Sequence, residues 1–199
     1  MAYSRRQGYD VGYGVAVALK YPSLKPVACV AVARIICIPY IPGLLAFREM
    51  SVLAPAISRL MASTRVDVIV ADGHGIAHPR GAGIATHIGV AFNTPSIGIA
   101  KKRLYGRETK ANGKLYLEDP KTGRRLAAIL FRGKRKVYVS PGHRITVDTA
   151  ARLVERTWVK PPIPEPTRTA DLITKRLKKL SIQPETSDPV YLDCATTEQ

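Results

Sequence analysis

Apolar runs separated by short polar or proline-containing segments divide the chain into alternating strands and helices. The runs at 13–20 and 27–33 are rich in alanine and β-branched residues, and the Tyr-Pro-Ser-Leu-Lys-Pro segment between them predicts a hairpin turn. Over 48–63 the apolar positions recur at helical spacing, which predicts an amphipathic helix. The chain therefore opens with a β-hairpin followed by a helix.

The remaining pattern continues this alternation. A continuous apolar run at 66–71 predicts a buried parallel strand. The elements expected after it are a helix at 84–92, a strand at 96–100, a loop or weak hairpin at 101–123, strands at 126–131 and 136–140, a helix capped by Thr146 and running to 158, and a basic amphipathic helix at 167–180. Strands alternating with helices indicate an α/β fold, with a mixed central sheet flanked by helices.

Length and composition favour a single soluble domain. The chain has 199 residues, of which 46% are hydrophobic, and no run of about 20 apolar residues predicts a membrane span. We expect one domain over 1–180, a disordered tail over 181–199, and a monomeric cytoplasmic protein. The three cysteines are odd in number and include no Cys-x-x-Cys, so neither a zinc site nor a disulfide framework is expected. Cys29 and Cys37 are interpreted as small apolar strand residues.

The charge balance indicates a polyanionic partner. Lysine and arginine total 31 against 15 acidic residues, giving a formal net charge of +16. A basic surface of this size favours nucleic acid, although a solvated surface without a partner has the same composition.

Asp72 is the strongest candidate for chemistry. It ends the predicted parallel strand, and ligand sites in α/β sheets lie beyond the carboxyl ends of strands. An aspartate there, followed by Gly73 and Gly75, suits a Mg²⁺ ligand beside a closely approaching phosphate or backbone. The alternative is an aspartate that caps the next turn.

Other polar residues admit both a functional and a structural interpretation. His74, His78 and His87 are close in sequence but lack typical zinc spacing, so phosphate contact or structural burial is expected. Glu49 lies near a helix start, where the helix dipole favours a carboxylate regardless of function. Lys101 follows a strand and suits either a contact to the scissile phosphate or plain surface. His143 lies in a turn and suits either metal binding or proton transfer, or neither. Tyr40 lies between two prolines and suits either a wedge in a base stack or core packing.

Five segments together resemble the endonuclease V family. They occur in the order found in that family and cover 13–180: 39–49 (PYIPGLLAFRE), 72–89 (DGHGIAHPR through GIATHIG), 96–101 (SIGIAK), 139–143 (VSPGH) and 162–168 (PIPEPTR). The resemblance implies a ribonuclease H-like fold. It also implies a DNA repair enzyme that hydrolyses the second phosphodiester bond on the 3′ side of deoxyinosine, with Mg²⁺ or Mn²⁺ as cofactor.

The resemblance also implies roles for individual residues. Asp72 and Glu49 would be metal ligands, His143 would lie beside the metal, and Lys101 would lie near the scissile phosphate. The substrate-binding residues implied are Pro39, Tyr40, Ile41 and Pro42 as a wedge, with Gly43, Gly73, Gly75 and His78 around the extruded base.

The N-terminus departs from the family pattern. The family's first strand, with its metal-binding aspartate, would end where Met1 stands, so that strand is expected to be missing and residues 2–4 to follow it. Asp10 falls in the turn before the second strand, and the metal role is not transferred to it. We therefore expect weak metal binding and little activity of the chain as written, and activity of an upstream-extended form. The alternative functions are a non-catalytic binder of inosine-containing or distorted nucleic acid, a nuclease acting on inosine-containing RNA or branched DNA, and a purely structural basic protein.

Overall fold

A four-stranded antiparallel sheet forms the centre of the first of two units in the computed structural model. The unit comprises Met1–Val66 and Arg168–Gln199. Its strands are β1 (Ala2–Arg6), β2 (Tyr9–Lys20), β3 (Lys25–Ile36) and β10 (Val190–Leu192), in the order β1-β2-β3-β10. The structure describes residues 1–6, 8–180, 184, 186–192 and 194.

Two helices cover this sheet. Helix α1 (Leu45–Ser63) buries Val52 and Ala56 against Val32 and Ile36. The last helix, α4 (Glu165–Leu180), buries Leu177 in a separate cluster with residues of β2 and β3 that includes the fully buried Tyr13. Burying one such leucine side chain stabilises the fold by roughly 1.5–3 kcal/mol, so the amphipathic pattern seen in both segments accounts for their docking.

The second unit, Asp67–Thr167, contains a six-stranded mixed sheet. Its strands are β4 (Ile69–Asp72), β5 (Ser96–Ala100), β6 (Arg107–Ala111), β7 (Lys114–Glu118), β8 (Arg125–Arg132) and β9 (Arg135–His143), in the order β4-β5-β9-β8-β7-β6. β4 and β5 are parallel and every other pair is antiparallel. Helices α2 (Ile84–Ala91) and α3 (Val147–Thr157) belong to this unit.

The core of the second unit lies between its sheet and α3. Ile97, Val139 and Val154 pack around Trp158, which is 1% exposed. Thr146 caps α3, as predicted, by accepting a hydrogen bond from the backbone N–H of Thr149. None of the described helices is long and apolar enough to cross a membrane.

The predicted α/β class is confirmed, and several details are corrected. The described strands form two sheets instead of one central sheet. Residues 2–4 were expected to follow a strand, and they instead begin β1, which pairs with β2. Asp10 lies in β2, not in a turn, and the strand expected at 66–71 is Ile69–Asp72. The segment 101–123 contains the β6–β7 hairpin. A single domain over 1–180 stays a prediction.

The expectations for the cysteines and the tail were wrong in part. Val190–Leu192 pairs with Ala31–Ala33 of β3, so this part of 181–199 is a strand, whereas much of the rest lies outside the described residues. Cys29 and Cys194 form a disulfide across a sequence separation of 165 residues. The number and spacing of the cysteines do not predict this disulfide, because the two residues meet only when the fold places β3 beside the C-terminal segment. Cys37 is free and exposed.

We expect the Cys29→Ala variant to unfold at lower temperature than the parent protein under non-reducing conditions. A cross-link that closes a long loop restricts the unfolded chain and contributes about 2–4 kcal/mol. Thermal unfolding with and without dithiothreitol is the measurement. The reductant should lower the midpoint of the parent and leave the variant unchanged. An equal response of both proteins would show that the bond does not stabilise the fold.

Candidate functional site

Asp72 and Lys101 lie together at the carboxyl ends of the two parallel strands. Asp72 is the last residue of β4, and it is paired in register with Ile99 of β5. Lys101 follows β5 directly, and its Nζ atom is 3.5 Å from Oδ2 of Asp72. Their side chains are 40% and 53% exposed, so both remain accessible to a ligand. The parallel pairing brings the two segments to the same sheet edge.

Glycines hold the turn after β4 against β5. A Cβ atom at Gly98 would lie 2.5 Å from the carbonyl oxygen of Gly73 and the amide nitrogen of Gly75, both backbone atoms. The amide of Gly73 also donates a hydrogen bond to the carbonyl of Ile99 at 2.9 Å. The missing side chain at Gly98 therefore permits the backbone contact that fixes Asp72, at the end of β4, beside the end of β5.

Gly73 and Gly75 themselves have structural reasons to be glycine. A Cβ atom at Gly75 would collide with the carbonyl of Pro141 in β9, and one at Gly73 would lie 2.5 Å from Cγ2 of Ile84 in α2. Their small size thus serves packing within the unit. The part of the base-pocket prediction that rests on these two glycines stays a prediction.

Two histidines extend the site along the same turn. The side chain of His74 is hydrogen-bonded to the backbone of Lys102, while its Nδ1 atom is buried without a partner among the described residues. Burial lowers the pKa of His74, which favours the neutral ring. Burial also lowers the pKa of His78, with a smaller contribution from Arg80, and Nδ1 of His78 accepts a hydrogen bond from the amide of Arg80. Neutral rings at these positions are hydrogen-bonding groups, not fixed cations.

His143 lies at the opposite end of the sheet. It pairs with Ser96, the first residue of β5, whereas Asp72 pairs with Ile99 on the other side of that strand. Three residues along a strand and two strand spacings place the Cα atoms of Asp72 and His143 roughly 14 Å apart. The structure does not support a common ion for these side chains. His143 instead packs against α2, where its Cβ atom fills the space that a side chain at Gly89 would need.

The proline-rich loop of the first unit exposes its aromatic tip. Tyr40 is 63% exposed and Ile41 is 46% exposed, so core packing of Tyr40 is excluded. The loop closes through a hydrogen bond from the amide of Leu44 to the carbonyl of Ile41, and Gly43 has a φ angle of +80°. A residue with a side chain would be strained at Gly43, which explains its place in the motif.

Arg48 anchors the base of this loop. Its side chain is 8% exposed, and it donates hydrogen bonds to the Ile38 carbonyl at 2.7 Å and to Oδ2 of Asp10 at 2.6 Å. The guanidinium also lies 5.1 Å from the ring centroid of Tyr3. Asp10 therefore neutralises a buried arginine. Arg48 was not among the predicted site residues, although it lies beside Glu49 in the motif.

Glu49 lies in α1, next to Arg48, and is half-buried. It is the fifth residue of the helix, and the first turn contains no acidic residue, so the dipole explanation for this carboxylate loses force. Glu49 acts on Tyr3: burial raises the pKa of the Tyr3 phenol, and the negative charge of Glu49 raises it further. Glu49 thus shares its surroundings with Tyr3 and Arg48.

The donor set for a metal ion is small. Within either unit, no three histidine, cysteine or acidic side chains among the described residues form a group that could hold an ion. Asp72 meets the requirement for one ligand, because Mg²⁺ keeps several waters and takes one or two carboxylates together with substrate phosphates. The exposed Asp72 carboxylate therefore fits Mg²⁺ as a single protein ligand and does not by itself form a complete site.

The fold and this site define a basic α/β protein with an aspartate–lysine pair at the ends of parallel strands. Comparison with known proteins identifies the family. The sequence model of the family described as Endonuclease V matches residues 1–172. The endonuclease V of Aeropyrum pernix is 50% identical over 181 residues, covering 90% of this chain and 68% of that protein.

Solved structures agree. The endonuclease V of Bacillus subtilis superposes with a TM-score of 0.81 at 26% identity, covering 90% of this chain and 78% of that one. The Ciona intestinalis endonuclease V (D234N), solved with a 23mer DNA containing an inosine followed by a ribo-adenosine, has a TM-score of 0.77 at 28% identity, covering 90% and 83%. The chain belongs to the endonuclease V family, and it is a nuclease.

We expect Gly98→Ala to destabilise the second unit by about 1–3 kcal/mol, because the added methyl group must push the 73–75 backbone away from β5. Urea denaturation followed by circular dichroism measures the loss. Retained stability would show that the turn does not lie on β5 as described here.

Proposed function

We propose that this protein is a metal-dependent DNA repair endonuclease that hydrolyses the second phosphodiester bond on the 3′ side of deoxyinosine. The observation that carries the proposal is the Asp72–Lys101 pair, 3.5 Å apart at the sheet edge of a chain of this family. The inosine-containing DNA bound by the Ciona relative supports the choice of substrate.

Asp72 and Glu49 are the proposed metal ligands, and Mg²⁺ or Mn²⁺ is the proposed cofactor. When bound, such an ion polarises the phosphate and lowers the pKa of a coordinated water. Asp72 supplies an accessible carboxylate, and Glu49 supplies a half-buried one. His143 receives no role in this proposal because its register places it at the other end of β5.

Lys101 is the proposed contact to the scissile phosphate. Its ammonium group lies beside the proposed metal ligand and stabilises negative charge that develops on the phosphate oxygens during hydrolysis. In the absence of substrate, the ion pair with Asp72 keeps Lys101 directed toward the site. When a cation and a phosphate bind, Asp72 would pair with the cation and Lys101 with the phosphate. Each side chain would thus keep a partner of opposite charge.

The Pro39–Pro42 loop is the proposed wedge. An exposed Tyr40 between prolines can insert beside a base step, and its rigid backbone limits the entropy lost on binding. Arg48 fixes the start of the loop by bonding the Ile38 carbonyl. Extruding a base costs a few kcal/mol, and less where the base is poorly paired, so a fixed wedge favours inosine over normal bases.

Asp72→Asn should lower Mg²⁺-dependent cleavage of an inosine-containing duplex by at least about 100-fold, because the metal contributes several kcal/mol to transition-state stabilisation. A labelled duplex with one inosine, resolved on a denaturing gel, gives both the rate and the position of the cut. Binding of the same duplex in EDTA should persist.

Asp148→Asn is the matched control. Asp148 is exposed in the first turn of α3 and accepts a hydrogen bond from the Tyr116 hydroxyl, which asparagine can also accept. This variant should cleave at the parental rate. Equal cleavage by both variants would overturn the role of Asp72. Inosine-selective binding without cleavage by the parent would favour the alternative of a non-catalytic binding module.

Tyr40→Ala should weaken inosine-dependent binding by about 1–3 kcal/mol, the range found for removal of a base-stacking aromatic side chain. Its thermal stability should change little, since the side chain is exposed. Tyr21→Ala, at a position 50% exposed in the turn after β2, is the control and should bind like the parent. Fluorescence anisotropy in EDTA measures both, and equal affinities for the two variants would contradict the wedge.

A substrate containing ribonucleotides is a second candidate, favoured by the ribo-adenosine after the inosine in the DNA bound by the Ciona relative. Cleavage rates of matched duplexes with deoxyadenosine or adenosine after the inosine distinguish the two. Faster cleavage of the ribonucleotide duplex would assign RNA or a hybrid as the preferred substrate.

A further inference from the structure

The positive charge of the chain is concentrated in one segment of the second unit. Residues 101–136 contain thirteen lysines and arginines and three carboxylates, so they contribute a net charge of +10 to the chain's +16. All three carboxylates are engaged within the segment. Glu108 contacts Lys136 and Tyr138, Glu118 pairs with Arg107, and Asp119 accepts the amide of Lys121.

The sheet topology brings most of these cations to one edge. β5 runs toward Lys101, and its antiparallel neighbour β9 begins at that end because Ala100 pairs with Tyr138. The turn between β8 and β9 and the turn between β6 and β7 fall at this same edge, since each successive pair is antiparallel. The edge that carries Asp72 therefore also carries the tips of two hairpins.

We call this region the basic edge and define it as 101–103, Lys110, Lys114 and 132–136. It has nine lysines and arginines, and the carboxylates beside it are Asp72 and Glu108. Within 107–125, the cations at the opposite end of the strands are Arg107, Lys121, Arg124 and Arg125, and they are offset by Glu118 and Asp119, so the bias there is much weaker. This difference in charge between the two ends of the sheet follows from the position of each residue along its strand. Composition alone does not predict it.

Several cations of the basic edge are available to a ligand. Lys110 and Lys134 are exposed and make no ion pair with any residue that the structure describes. Phe131 of β8 lies directly opposite Lys136 of β9, and its side chain is 57% exposed. Free cations with an exposed aromatic side chain among them are the surface features that bind phosphates and stack on bases.

We propose that the basic edge binds the sugar-phosphate backbone of nucleic acid on one flank of the site at Asp72. This inference rests on the proposed function for the position of the substrate at Asp72. Six strands span five spacings, or about 24 Å, from β4 to β6, and this is an upper limit because the contacts of Glu108 in β6 with Lys136 and Tyr138 in β9 show that the sheet curls. Phosphates along one strand of a duplex are about 3.4 Å apart along the axis, so the edge has room for at most roughly seven nucleotide steps.

The test uses the Lys110→Gln/Lys134→Gln double variant and the salt dependence of binding. Each lost phosphate contact should reduce the slope of log K against log salt by about 0.9, so the double variant should lose nearly two. Its affinity should fall on the order of ten-fold near 0.15 M salt. Binding of a fluorescent inosine-containing duplex is titrated in EDTA, which prevents cleavage.

Lys20→Gln/Lys25→Gln is the matched control, with the same change in charge. These exposed lysines pair with each other at the closed end of the β2–β3 hairpin, about 36 Å along β3 from the end that leads to the proline-rich loop. The control should retain the parental slope. Equal slopes for the two double variants, whether both reduced or both parental, would overturn the basic edge.

Substrate length gives a second, independent readout. Shortening one flank of the duplex below about seven base pairs should weaken binding by the parent, whereas the Lys110/Lys134 variant, which lacks two of the nine cations, should lose less affinity on that shortening. Shortening the other flank should affect both proteins alike. Identical length dependence in the two proteins would also contradict the proposal.

The same titrations separate this inference from the proposed function. An adenosine duplex run in parallel reports inosine selectivity, and Mg²⁺ addition reports cleavage. Inosine-selective cleavage with an unchanged salt slope would reject the basic edge alone. A reduced slope in a protein that neither prefers inosine nor cleaves would reject the proposed function and retain the basic edge as a nucleic-acid surface.

Discussion

The close approach of two backbones at Gly98 is the constraint on which the candidate site depends. The turn after β4 lies on β5 with no room for a side chain between them, and its amide bonds the Ile99 carbonyl. Asp72 is thereby fixed at the strand end, where Lys101 follows β5 on the neighbouring strand. A flexible turn would leave the carboxylate and the ammonium group to solvent, where an exposed ion pair is worth less than about 1 kcal/mol. The pair is informative because backbone packing, not its own attraction, brings it together.

In the first unit, a buried arginine holds the proline-rich loop. Tyr40 and Ile41 are exposed, so burial of their side chains does not stabilise the loop. Contacts at the base of the loop must therefore hold its conformation. Arg48 does this by bonding the Ile38 carbonyl, and Asp10 compensates its charge. Removing Asp10 would leave the buried guanidinium of Arg48 without its counter-charge. The loop and the N-terminal strands are thus coupled through a single side chain.

Local patterns predicted what local physics determines. The hairpin, the helix bounds near Ser63 and Leu180, and the cap at Thr146 follow from periodicity, turn residues and side-chain hydrogen bonding within a few positions. The strand ends at Asp72 and before Lys101 were also predicted, and the parallel pairing of β4 and β5 aligns them. The Cys29–Cys194 bond and strand β10 were not predicted, because each joins segments more than 150 residues apart. The position of His143 relative to Asp72 was not predicted for a related reason: motif order does not reveal that β9 runs antiparallel to β5, which carries its end away from Asp72.

Strand direction also determines where the positive charge of this protein is concentrated. Composition gives +16 and no location, and the sequence shows only that basic residues cluster between 101 and 136. In that segment two successive antiparallel hairpins return to the edge where β4 and β5 end, so residues far apart along the chain add their fields at one place. The same residues on strands of the opposite polarity would lie at the far end, near His143. A nuclease needs its electrostatic attraction where the phosphodiester is positioned, and the topology of this sheet supplies it there.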